Sequence, residues 1–166
     1  MLDHVAGNLS PAMHLAADIH RLMSSHGEDA STLWEAVRMA LMEKDSLETY
    51  LSSQNRQIAL ALDVIHSDFD RIRWRRGLSG VLYAKGAVKH GQLMRLRPNQ
   101  SAYSHGHSKL EATVVLEGAL DDGIGRYYPG DILLAEPGIK HKPASYGNNA
   151  CTCFVARTPK PFWRFT

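Results

Sequence analysis

Cysteine is nearly absent from this chain. Its 166 residues include two, Cys151 and Cys153, separated by one threonine. Two neighbouring thiols exclude the cysteine-dense framework of small secreted domains. Long apolar runs are missing as well: none approaches the ~20 residues that a membrane helix needs. Met1-Leu2-Asp3-His4 is not expected to open a signal peptide. An excess of one charge is also lacking. Nineteen Lys and Arg against 17 Asp and Glu leave a formal charge of +2, since 19 − 17 = 2. A balance so near zero gives no broad field for nucleic acid or a membrane surface. These absences predict a cytoplasmic globular protein without direct nucleic-acid or membrane partners. Apolar content of 44% and charged content of 22% are ordinary for such a chain, whose length allows one large domain or two small ones. One local departure is a basic run, Arg71, Arg73, Arg75 and Arg76 around Trp74. Such a run can grip phosphates, but a solvated linker is the favoured reading.

The texture changes along the chain. Up to about residue 66 it reads as helical. Ser10 can cap a helix that Pro11 starts, because proline is tolerated at the first helical position. Ala12, Leu15, Ala16, Ile19, Leu22 and Met23 then form an apolar stripe at helical spacing, with His14, Asp18 and Arg21 off it and Gly27 as the stop. Leu33, Val37, Ala40 and Leu41 mark a second stripe, capped by Asp29 or Ser31. A third, with Ser46 as its cap, comprises Leu47, Leu51, Ile58, Leu62 and Ile65; whether the last two form one bent helix or two stays open. Residues 67–78 read as a charged connector. From Gly80 onward, short apolar runs alternate with Gly and Pro, the pattern of a small all-β unit. Strands are expected at Val81–Tyr83, Gln92–Leu96, Ala112–Leu116, Asp131–Ala135 and Cys151–Ala156.

The chemistry concentrates between His105 and His141. His105 and His107 share a strand face, because alternate side chains point the same way. Glu111 follows four residues later, within reach if the chain bends at Ser108-Lys109. Gly118 ends the next strand, Pro129-Gly130 opens another, and His141 follows Pro137-Gly138. Two hairpin-like units thus deliver three imidazoles and one carboxylate to a single cavity. That donor set suits zinc or another divalent transition metal.

This pattern resembles the two motifs of the cupin superfamily. His105, His107, Glu111 and Gly118 are in register with the first motif, with Asn99 where its leading glycine is usual. Gly130, Gly138 and His141 match the second, with the proline displaced by one position to Pro137. Beyond the motifs, residues of about 74–160 are similar to the ChrR family of anti-sigma factors. The shared features are Trp74, Gly80-Val81, Leu93–Leu96 before Pro98, Leu110-Glu111 and Val115–Gly118, then Tyr128–Asp131, His141-x-Pro143 and Cys151-x-Cys153. Ala6–Pro11 followed by His20 is similar to the family's anti-sigma segment.

The resemblance implies an α+β, two-domain protein. A small N-terminal helical bundle (1–70) would bind an alternative, ECF-type sigma factor. An all-β cupin barrel (71–166), a double-stranded β-helix or jelly-roll, would hold one divalent metal through His105, His107, Glu111 and His141 and sense a stress signal or small ligand. Zinc is the first expectation, with iron, nickel or manganese as alternatives. A second, N-terminal zinc is not expected, because Ser24 and Gly27 stand where the family carries cysteines; His4 and His26 are weak substitutes.

Two rival readings remain. A metal-dependent cupin enzyme, dioxygenase or isomerase-like, is the less favoured one, since no assured general base accompanies the ligands. Tyr103, Tyr128, Glu136 and Tyr146 lie near the motifs, and each can be mere packing. The other rival is a small-molecule-binding cupin whose helices serve as a homodimerisation arm. Cys151 and Cys153 share a strand face, inside or outside the barrel, and read first as small buried apolar residues rather than redox sensors. Trp34, Trp74 and the tail Phe162-Trp163-Arg164-Phe165 read as packing or interface anchors.

Overall fold

The computed structural model describes residues 9–24, 39 and 44–159, with the backbone alone for 44–50. The second helical stripe, Gly27, His4, His26, Trp34 and the aromatic tail lie outside the described residues.

Helix α1 spans Pro11–Met23 and begins as expected, with Pro11 in the first turn and Ser10 in an extended cap conformation. The Ser10 hydroxyl makes no cap hydrogen bond; instead its carbonyl accepts the first helical bond, from the His14 N–H at 2.9 Å. The helix ends at Ser24, before Gly27, because Ser24 turns extended and its N–H closes the last turn on the His20 carbonyl. The expected stripe holds at Ala12, Leu15, Ala16 and Ile19, all buried. It fails at Leu22, which is 39% exposed, and at His14 and Asp18, which are buried rather than off the core. α1 lies between a β-sheet and a second helix, so more than one face of it is covered.

That second helix, α2, spans Lys44–Ile65 without a break. Its packed face is Ala61 and Val64 with Leu60 and Ile65, whereas Leu51 and Leu62 of the expected stripe are 43% and 38% exposed. Among the described side chains it is the C-terminal turns that meet the core cluster, and the turn angle there selects Ala61 and Val64.

The remainder is β-structure. The strands are β1 (Arg75–Arg76), β2 (Leu82–Lys85), β3 (Gly91–Leu96), β4 (His105–Gly106), β5 (Glu111–Glu117), β6 (Leu120–Asp121), β7 (Arg126–Tyr127), β8 (Ile132–Ala135), β9 (Lys140–His141), β10 (Ala144–Ser145) and β11 (Cys151–Arg157). Six of them form an antiparallel sheet in the order β1-β2-β3-β11-β5-β8, accompanied by a three-stranded sheet β10-β6-β7 and the pair β4-β9. All five expected strands are present, within a residue or two at each end.

The middle of the large sheet, β11 and β5, is buried on both faces, which explains why these two strands read as continuous apolar runs rather than alternating ones. Its outer side chains, Leu93, Ala112, Val114, Leu116, Phe154 and Ala156, join α1 and the end of α2 in one hydrophobic cluster. Its inner side chains, Met94, Leu96, Val115, Leu133, Cys151, Cys153 and Val155, form a second cluster with Leu120 of the small sheet. The helices therefore share a core with the sheet's outer face. Trp74 and Arg95 lock the 66–71 connector to this unit, both donating to the Phe69 carbonyl, at 2.8 and 2.9 Å. Arg95 also pairs with Asp70 at 2.9 Å. No helix among the described residues is long and apolar enough to cross a membrane.

Candidate metal centre

Three turns punctuate the two motifs. Gly118 has a φ of +74°, and a side chain there would run into the Ala150 carbonyl, so only glycine closes β5. Asn99, in place of the usual glycine, takes the same left-handed conformation at φ +60°, which asparagine tolerates better than most residues. The displaced proline also finds a role. Glu136-Pro137-Gly138-Ile139 closes a turn through the Ile139 N–H and the Glu136 carbonyl, at 3.2 Å, with Gly138 at φ +85°. That is a type II turn, which favours proline second and glycine third. The departures from the motif therefore leave the loop geometry intact.

Beyond these turns, β4 and β9 pair with His105 opposite His141. The Gly138 N–H bonds the His107 carbonyl at 2.9 Å, which draws the third imidazole in. One nitrogen from each of the three rings lies within 4.8 Å of the others, and the ring centroids are 4.7 to 4.9 Å apart. The His107 and His141 Nε2 atoms approach to 2.8 Å. Glu111, the first residue of β5, brings Oε1 to 3.5 Å from His107 Nε2. All four expected residues are thus neighbours, with the histidines converging and the carboxylate at their side.

The donor set fits a metal ion. His105 Nδ1 lies 2.8 Å from the Tyr103 carbonyl; donating there leaves the Nε2 lone pair of that ring free, the usual arrangement of a ligating imidazole. His141 Nδ1 is buried with no hydrogen-bond partner. Burial is the main cause that holds the His107 pKa below the ordinary 6.5; Glu111 opposes it, and His105 and Arg157 add to it. His141 is held below 6.5 by burial first and then by the other two imidazoles. Both rings are therefore neutral near pH 7, the form in which imidazole binds metal.

Arg157 is the residue that sequence reasoning missed. Its Nε donates to Glu111 Oε2 at 2.6 Å, leaving Oε1 toward His107. The signal was there in outline: Cys151, Cys153, Val155 and Arg157 share one face by period two. Behind the histidines is a cavity of about 20 Å³, walled by Met94, Leu120, Leu133 and Val155. That is room for about one water-sized molecule. Tyr83 also lines this cavity, whereas Tyr103, Tyr128, Glu136 and Tyr146 do not. Tyr103 and Tyr128 are 70% and 51% exposed, and the Tyr146 ring lies under Arg126 at 4.1 Å.

The two cysteines point inward and are fully buried, with their sulfurs 3.6 Å apart. The hydrogen bond with Cys151 and burial push the Cys153 thiol well above its usual range. A neutral buried thiol is a poor nucleophile, so Cys153 packs as a small core residue, and Cys151, equally buried, lies beside it in the same cluster.

Residues 64–161 match the family described as the ChrR cupin-like domain. Anti-sigma-E factor ChrR of Cereibacter sphaeroides is 26% identical over an alignment of 178 residues that takes in 92% of this chain and 84% of that protein. The crystal structure of Rhodobacter sphaeroides SigE in complex with the anti-sigma ChrR is similar too, with a TM-score of 0.75 and 26% identity over 95% of this chain and 93% of the matched chain. The His105–His141 motifs, the sheet that carries them and a family match over more than half of the residues agree: this chain belongs to the ChrR cupin-like domain family.

Proposed function

We propose that this protein is a metal-dependent anti-sigma factor. Its helical part (1–70) would bind an alternative sigma factor, and its cupin part (71–166) would control release. The carrying observation is the similarity to the SigE–ChrR structure, which runs through the helices as well as the sheet, over 95% of this chain. Leu22, Leu51 and Leu62, each more than a third exposed on the helices, support the reading because they offer apolar side chains to a partner.

His105, His107, Glu111 and His141 are proposed as the ligands of one zinc ion. The bound metal would supply a Lewis-acid centre. What the protein's own residues do follows from strand geometry. β5 starts at Glu111, and its outer residues Ala112, Val114 and Leu116 are part of the floor on which α1 rests. A change in the hold on Glu111 is thus one peptide unit from the helix interface. A second link joins the halves, where His20 Nδ1 lies 2.6 Å from the Gly130 carbonyl, just ahead of β8. These links let a signal at the site bias two arrangements of helix and sheet.

The test is affinity capture with the full chain from the native lysate, followed by mass spectrometry and by transcription with the captured factor. Retention of an alternative sigma factor, and its inhibition by the purified chain, is the expected result. A protein that retains metal but neither captures nor inhibits any sigma factor would overturn the proposal.

A further inference from the structure

We propose that the concave face of the large sheet carries a second binding site, distinct from the metal centre, for a small organic anion bearing phosphate or carboxylate groups. The basic run that the sequence shows leads into β1. Trp74, just ahead of that strand, packs into the outer cluster with the helices. Arg75, the first residue of β1, belongs to the other face, and Arg73 lines the same hollow as Arg75. Register confirms it: Arg75 pairs with Tyr83, Tyr83 with Met94, and Met94 with Cys153 of the inner core, and directly paired residues share a face. Lys85 lies two residues beyond Tyr83 and pairs with Gln92, which pairs in turn with the inner residue Val155.

Arg73, Arg75 and Lys85 thus converge on one hollow of about 530 Å³, with Tyr83 and Gln92 in its wall and no acidic residue lining it. Among the described residues, none of these three cations makes an ion pair. Three other arginines of the β-structure are paired instead: Arg95 with Asp70, Arg126 with Asp121 and Arg157 with Glu111. Three uncompensated like charges on a concave wall repel one another, and they focus a positive potential into the hollow. Two guanidiniums offer planar forks that match carboxylate and phosphate oxygens, Lys85 adds a point charge, and the Gln92 amide adds a donor. The volume suits a molecule of metabolite size. Tyr83 also lines the small cavity behind the histidines, so the two sites share one wall. This inference rests on the sheet alone and is independent of sigma-factor binding.

The test uses the purified full chain and two probes, inorganic pyrophosphate and citrate, titrated by calorimetry at low ionic strength. Saturable uptake of at least one probe, one per chain, is expected. Arg73→Gln and Arg75→Gln should each weaken it about tenfold, and Lys85→Gln less. Arg126→Gln, elsewhere on the surface, should bind as the parent does. All of these side chains are exposed, so circular dichroism and metal content should stay unchanged. Absence of saturable uptake, or uptake undiminished in the Arg73→Gln/Arg75→Gln double variant, overturns the proposal. So does tighter binding of a single-stranded oligonucleotide with the same variant dependence, which would make the basin part of a nucleic-acid surface.

Discussion

The two faces of β5 and β11 are the comparison that best explains this molecule. On the inner face stand Glu111, Thr113 and Val115, and opposite them Cys153, Val155 and Arg157. On the outer face stand Ala112, Val114 and Leu116 beside Phe154 and Ala156. The inner row ends in the Glu111–Arg157 pair beside the histidines, whereas the outer row is apolar apart from Thr152, whose hydroxyl donates to Glu117, and supports a helix. Both rows come from the same peptide segments, separated by nothing more than the alternation of a strand. Chemistry and helix docking are therefore close in the chain yet on opposite sides of a sheet, so a perturbation of one reaches the other through backbone rather than through side-chain contact.

The sharpest break of that comparison is Phe154→Ala. Phe154 is fully buried beneath α1, and its truncation is expected to cost about 3–5 kcal/mol of stability. Denaturant unfolding measures this, and metal content of the folded fraction should not change. Equal loss of metal would mean that the two faces are not separable. The converse change is His107→Ala, which should empty the centre while leaving the outer cluster packed. If the metal binds only the folded state, its loss costs about 4 kcal/mol at a thousandfold excess over its dissociation constant. Elemental analysis with thermal melting checks this, and unchanged metal content would defeat the ligand assignment.

Arg157→Met tests a smaller effect. It frees the Glu111 carboxylate from its 2.6 Å partner without replacing any of the four proposed ligands. Metal affinity should fall by about 10–100-fold, the usual effect of losing an orienting partner; a competition assay with a chelator reads it. Smallest of all is a pH effect on the chelated, metal-free protein. His107 and His141 have pKa values below 6.5 when folded, so below pH 6.5 the unfolded chain takes up protons first. Stability should then decline as pH falls from 6.5, and should be flat above it as far as these rings are concerned. A metal-free melting temperature that rises on acidification through this window would contradict their burial.

Much of the site was legible because its residues are close in sequence and punctuated by turns. His105 and His107 share a strand face by period two, and Gly118 and Gly138 mark turns that a side chain would strain. Even the departures could be interpreted once φ was known, Asn99 replacing a glycine and Pro137 entering a turn's second position. Arg157 was not legible as a partner of Glu111, because the pair lies 46 residues apart and meets only through the β11–β5 register. The helices were legible as elements and only in part as surfaces: the α1 stripe holds at Ala12, Leu15, Ala16 and Ile19. The stripe of α2 named Ile65, which packs on the core, but also Leu51 and Leu62, where the core takes Ala61 and Val64 instead, since a periodic pattern does not reveal which end of a helix is covered.

By itself the sequence pointed to the helices at Pro11–Met23 and Lys44–Ile65, the five main strands, the three histidines that converge and the family resemblance. Each of these is written in local periodicity, turn chemistry or short-range spacing. Tertiary structure alone decided that α1 is buried at His14 and Asp18, that the helices share a core with the outer sheet, and that both cysteines turn inward. It alone assembled Arg73, Arg75 and Lys85 on one wall. These features depend on which face of each element meets its neighbour, a choice made by packing across the whole chain and invisible to any window of it.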